Sequence, residues 1–292
     1  MKILRLLAAA IALVACSCSS GPVGGLGGAG TAGQATINPG AGRGESLSVT
    51  IRGPQGEPWK FIVDTGAPDT MLDRSLEPLL GPVIRTERAH YGYFGTRPVK
   101  VFAAPRLTLG GAPLRTGHEV LVDDFATLFP RRHIKGILGM DCLRHYVLQI
   151  DFGRSSLRLL DPSHSLGGTL GGTLGLPHRM RAEGGAIYVE GDLFGLGRRE
   201  FRVDTGCTID AVLERPLFDQ VLRAHKPIQT RTFPSPAGRP LIECIFAAGT
   251  FDGRPYGKLV VDGADDNLLG VRFLARHGVT FDFPRQTLYL RP

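Results

Sequence analysis

The stretch Phe61-Ile62-Val63-Asp64-Thr65-Gly66-Ala67 returns 140 residues later as Phe201-Arg202-Val203-Asp204-Thr205-Gly206-Cys207. Each copy is an apolar run of strand length closed by Asp and Gly, the residues that make tight turns. Upstream, each run follows a hairpin-like stretch. Leu47-Ser48-Val49-Thr50-Ile51 turns at Gly53-Pro54-Gln55-Gly56 and returns through Trp59, while Ile187-Tyr188-Val189-Glu190 turns near Gly195-Leu196-Gly197 and returns through Phe201. Downstream, residues 107–114 match 249–256 as two strands about a Gly turn. The longest match closes each copy. Ile137-Leu138-Gly139-Met140-Asp141-Cys142-Leu143 leads to strands at 148–152 and 157–159, and Leu268-Leu269-Gly270-Val271-Arg272-Phe273-Leu274 leads to strands at 279–283 and 288–290. Four features in one order define an internal duplication.

The copies set the domain plan: a first lobe at 46–162, a second at 178–292, and a low-complexity Gly-Thr-Leu linker at 163–177. Of 292 residues, 42% are hydrophobic and 21% charged, the balance of a globular protein. The 40 Gly and 21 Pro favour short strands and turns over long helices, so the fold class is all-β with a few short helices. Multi-pass membrane, coiled-coil and helical-solenoid classes are excluded. The net charge of +7 is spread along the chain without a block of like sign, so no nucleic-acid partner is expected. With no C-x-x-C and no H-E-x-x-H, neither a metal nor a cofactor is expected.

The N-terminus reads as an export signal over residues 1–15. A basic Met1-Lys2-Ile3-Leu4-Arg5 precedes a ten-residue apolar stretch from Leu6 to Ala15, too short to span a membrane. Leu13-Val14-Ala15-Cys16 resembles a bacterial lipobox, which implies lipidation at Cys16. Ser17 after it resembles lipoproteins sorted to an outer membrane, facing the periplasm or the cell surface. Residues 16–45 contain few large apolar side chains and read as a flexible tether.

Two Asp-Thr-Gly turns, each following an apolar strand and each paired with a downstream apolar-apolar-Gly, resemble the aspartic proteases of the pepsin and retropepsin type. The resemblance spans nearly all of 46–292, and Asp64-Thr65-Gly66-Ala67-Pro68-Asp69-Thr70-Met71-Leu72 follows the family pattern throughout. It implies two retropepsin-like lobes with the site between them, in a single chain that needs no partner copy. It also implies a catalytic pair, Asp64 and Asp204, acting on polypeptide. Thr65 and Thr205 would lock the loops together. Gly66, Ala67, Gly206 and Cys207 would complete the loops, and Gly139 and Gly270 would let them pack on the strands behind. A flap is implied near Tyr91, Gly92 and Tyr93 in lobe one, with a second tip at Gly238 in lobe two.

Two residues of lobe two depart from the pattern. Asp210 stands where lobe one has Thr70, and a carboxylate there would press on the pair by like-charge repulsion. Cys207 is either a small apolar filler or a disulfide partner of Cys244. With Ala67 and Cys207 where a hydroxyl donor can stand, the pair is expected to work in mildly acidic to near-neutral solution. A non-catalytic peptide-binding lipoprotein of the same fold is the alternative function. A carbohydrate-active enzyme with paired carboxylates would not need the twin turns.

Overall fold

The computed structural model describes residues 30–91, 95–129, 133–163, 175–233 and 240–292. In chain order the first half forms β1 (Thr31–Thr36), β2 (Ser48–Arg52), β3 (Pro58–Val63), β4 (Met71–Asp73), β5 (Arg85–His90), β6 (Thr96–Ala103), β7 (Thr108–Leu109), β8 (Ala112–Pro113), β9 (Glu119–Asp123), α1 (Phe125–Leu128), β10 (Gly136–Leu138), α2 (Met140–Leu143), β11 (Val147–Asp151) and β12 (Ser156–Leu160). The second forms β13 (Leu176–Glu183), β14 (Ala186–Gly191), β15 (Arg199–Asp204), β16 (Ala211–Glu214), α3 (Arg215–Ala224), β17 (Gln229–Phe233), β18 (Leu241–Phe251), β19 (Arg254–Ala264), β20 (Leu268–Gly270), α4 (Val271–Leu274), β21 (Gly278–Asp282) and β22 (Thr287–Arg291). The protein is all-β, with short helices at the strand ends.

Both halves have one strand order. In lobe one the neighbours run β5-β6-β9-β4-β10-β3-β2, and in lobe two β17-β18-β19-β16-β20-β15-β14. Around the first turn the central strands bury apolar side chains on both faces. Phe61 and Val63 of β3 enter the main core, while Ile62 faces a second cluster with Met71, Val99, Val101 and Leu121. In lobe one the pairing breaks after Ala103, near Pro105, which lacks an N–H for the ladder. In lobe two, β18 and β19 continue through the matching stretch, with one pair, Ala247 and Lys258, missing from the ladder.

The lobes join through a shared sheet, β1-β12-β11-β21-β22-β13. Antiparallel β11 and β21 meet at its centre, with Gln149 opposite Thr280. These two are matching residues of the repeat, so an approximate two-fold axis passes between them. β1 pairs with β12 as β13 pairs with β22. The repeat therefore begins at about residue 30 in lobe one.

The span 16–45 differs from the tether reading. From residue 30 on it is folded, and Ile37 and Ala41 are buried in the main core. Small residues are what this strand requires. A β-carbon on Gly33 would come 3.1 Å from the Leu109 carbonyl oxygen, so β1 lies close on the β7–β8 turn. The following loop crosses to lobe two, where Gly42 (φ +71°) sits against Ala275. In the matching direction, Gly185 of the β13–β14 turn packs on Pro68 of lobe one. Residues 1–29, with the signal and Cys16, lie outside the described residues, as does most of the linker, 164–174.

Candidate active site

Each Asp-Thr-Gly turn hangs from the end of a central strand. The Asp64 amide donates to the Leu138 carbonyl of β10 at 3.0 Å, and Asp204 is registered opposite Gly270 of β20. Behind each turn the backbone passes a glycine closely. A β-carbon at Gly139 would come 2.5 Å from the Asp69 carbonyl, and one at Gly270 would come 2.2 Å from that of Ile209. The short helices that follow are tied to the turns through Met140 N to Ala67 O (2.9 Å) and Val271 N to Cys207 O (2.8 Å).

Thr65 and Thr205, both fully buried, cross-link the turns. Thr65 Oγ1 donates to the Val203 carbonyl at 2.7 Å and accepts from the Thr205 amide at 3.1 Å. Thr205 Oγ1 donates to the Val63 carbonyl at 2.7 Å and accepts from the Thr65 amide at 3.0 Å. Four reciprocal bonds hold the loops in one relative position. That position brings the carboxyls together, each against the other loop's glycine. A β-carbon on Gly66 would come 2.5 Å from Asp204 Oδ2, and one on Gly206 would come 2.5 Å from Asp64 Oδ2. Any larger residue at either glycine would push the carboxyls apart.

The pair is not electrostatically symmetric. Asp64 Oδ1 accepts the Gly66 amide at 2.8 Å. Asp204 Oδ1 accepts two amides, Gly206 at 2.9 Å and Cys207 at 3.0 Å. Burial first, then the facing Asp204 carboxylate, hold the Asp64 carboxyl well above the usual range.

Asp210 does not press on this pair as a bare like charge. It is 1% exposed and fully engaged. Arg276 Nε and Nη2 donate to its Oδ1 at 3.0 and 2.9 Å, the Val260 amide donates to Oδ2 at 2.8 Å, and Arg272 Nε lies 3.2 Å from Oδ2. Burial pushes its carboxyl up, against the Val260 amide and the two guanidiniums. Lobe one makes the matching anchor with Thr70 Oγ1 donating to Asp141 at 2.7 Å. Arg272 occupies the place of Asp141, so the carboxylate has changed ends of the same contact. The turn of lobe two is also one residue longer. Met71 faces Ile137 where Val212, not Ala211, faces Leu268.

Cys207 and Cys244 are free thiols, one in the loop and the other buried in β18. Burial, then the nearby Asp204, push the Cys207 thiol up, so it packs as a neutral group. Tyr91 closes the β5–β6 hairpin through its amide to the Gly95 carbonyl (2.9 Å) and packs, with Ala67, on the second apolar cluster. Gly92, Tyr93 and Gly238 lie outside the described residues. A cavity between the lobes, walled by Met140, His145, Met180, Ile187 and Phe283, includes neither carboxylate.

One residue of the site escaped the sequence reading. Arg202 takes the register position of Ile62, opposite Leu268 as Ile62 is opposite Ile137. Its Nη2 lies 3.8 Å from Asp204 Oδ2 and its Nε 3.4 Å from Asp266 Oδ2. A cation interrupting an otherwise matching apolar triplet was the available signal.

No curated protein matches the chain. Residues 47–142, which hold the Asp64 loop, its supporting glycine and the strands between, match the family model of aspartyl proteases, and this match supports a peptide hydrolase of that kind.

Proposed function

We propose that the chain is an aspartic endopeptidase whose Asp64 and Asp204, one from each lobe of a tandem retropepsin-like fold, activate a water against a peptide bond. One carboxylate takes a proton from the water as its oxygen attacks the carbonyl carbon. The other, protonated, donates to the carbonyl oxygen. Collapse of the resulting diol breaks the C–N bond: the amine leaves with a proton from one carboxyl, while the other takes a proton from a diol hydroxyl as the new carboxyl group forms. No nucleophilic side chain is required. The observation that best supports this reading is the four-bond Thr65–Thr205 lock, which sets two buried carboxyls against each other's glycines.

The substrate is polypeptide, and the flap hairpins would cover it. The N-terminal signal and Cys16 support an exported, lipid-anchored protein on the outer membrane, facing the periplasm or cell surface. Both lobes being in one chain favours a monomer. Incubation of the protein with a peptide library, beside Asp64→Asn, is the test. Cleavage by the wild type that disappears in the variant supports the proposal. Peptides bound and left intact by the wild type would make the protein a binding lipoprotein instead. Cys16→Ser should release the protein from membranes, and unchanged partitioning would remove the anchor.

A further inference from the structure

We propose that Arg202 is a positioning residue that fixes the negative charge of the pair on Asp204 and leaves the shared proton on Asp64. The inference rests on the endopeptidase reading and assigns the two carboxyls different parts in it.

The lobes repeat each other closely around the pair, so a departure from the repeat is informative. Arg202 and Asp204 alternate on β15 and project to the same face. The guanidinium lies 3.8 Å from Asp204 Oδ2, whereas lobe one has Ile62 at the matching register. Asp266, from the turn before β20, steadies the guanidinium from its other side at 3.4 Å. Asp204 also accepts one more backbone amide than Asp64 does, from Cys207. A cation and an additional donor both favour the charged form of the carboxyl they reach.

The remaining ionisable groups near the pair do not reverse this. Cys207 stays neutral; Asp262 of β19, which burial and then Glu243 push up to about 6, acts on the Cys207 thiol; and Asp266 is engaged with Arg202. Burial first, then the facing Asp204 carboxylate, favour the neutral form of Asp64, against the Gly66 amide and the charge of Arg202, which makes its ion pair with Asp204. Asp204 then takes the proton from water while the new C–O bond forms. Asp64 gives its proton to the carbonyl oxygen. As the diol collapses, Asp204 returns its own proton to the departing nitrogen and Asp64 takes one from a diol hydroxyl as the C=O bond re-forms, so the charges of the pair are restored after one turnover.

Removing the cation should raise the lower apparent pKa of the pair. Opposite charges within about 4–6 Å move a carboxyl by roughly 1–3 units, and the competing Asp266 and partial exposure put Arg202 at the low end of that range. The experiment is the pH dependence of kcat/KM on a cleaved peptide for wild type, Arg202→Met and Arg202→Lys. It is joined to an NMR titration of the aspartate carboxyl carbons in the same proteins. Arg202→Met should move the acidic limb and the pair's lower carboxyl titration up by about one pH unit, a roughly tenfold loss of kcat/KM on the acidic side. The plateau should stay largely intact, and Arg202→Lys should restore the limb. An unmoved limb and titration in folded Arg202→Met overturns the proposal, as does a loss uniform in pH that Lys does not rescue. A wild type that cleaves nothing, with the carboxyl titration moving as stated, rejects the endopeptidase reading and leaves the charge placement standing.

Discussion

Each hydroxyl of Thr65 and Thr205 makes two bonds across the lobe boundary, one as donor and one as acceptor. Val at either position keeps the shape but leaves the Thr205 or Thr65 amide and a strand carbonyl buried without partners. Thr65→Val should therefore cost roughly 2–4 kcal/mol by denaturant unfolding, and Thr65→Ser much less. Asp64 carries the opposite cost. Its folded-state carboxyl titrates above its unfolded value, so its contribution is harmless below about pH 4 and turns destabilising as pH rises towards the folded value. Asp64→Asn should thus unfold at a higher temperature than wild type near neutral pH, with the gap closing in acid. A gap independent of pH would contradict that assignment. Asp64, Asp204, both threonines and the supporting glycines were all legible as motif letters, because close backbone approach and a hydroxyl lock each allow few residue types. Arg202 was not legible in that way, since its effect depends on which face of β15 it shares with Asp204.

Among the elements, the short helices behind the two turns are held by different chemistry in the same place. Thr70–Asp141 serves lobe one and Asp210–Arg272–Arg276 serves lobe two. Asp210→Ala leaves two guanidiniums facing an empty site and should destabilise the protein by roughly 3 kcal/mol in equilibrium unfolding. If it instead changed only the pH profile of activity, Asp210 would act on the pair directly. Sequence alone placed Asp210 beside the loop but could not name its partners, because Arg272 and Arg276 lie far along the chain and reach it only in the fold. β1 was missed for another reason. Its sequence, Thr31-Ala32-Gly33-Gln34-Ala35-Thr36, has no large apolar residue, and its stability comes from the backbone ladder with β12 and close contact with the β7–β8 turn.

At the scale of the whole molecule, the shared sheet and the crossing segments make the lobes one structure around one site. The described fold includes β1 and the loop after it. Ile37→Ala should cost roughly 2–4 kcal/mol for the lost burial, although it lies in a span whose composition resembles a tether. Thermal or denaturant unfolding of that variant is the check. The duplication, by contrast, was legible from residue 46 on, because matching strand patterns of this length fold alike and the observed strand orders agree from β5 to β2 and from β17 to β14. What the duplication builds is a pair of carboxyls from different lobes, each set against the other loop's glycine; the proposal is that they act as one unit. A double-mutant comparison of kcat/KM for Asp64→Asn, Asp204→Asn and the two together tests this most directly. If the carboxyls share one proton and one water, either single variant should lose at least about a thousandfold, and the double variant should lose little more. Additive losses, or a single variant that keeps substantial turnover, would contradict a shared mechanism.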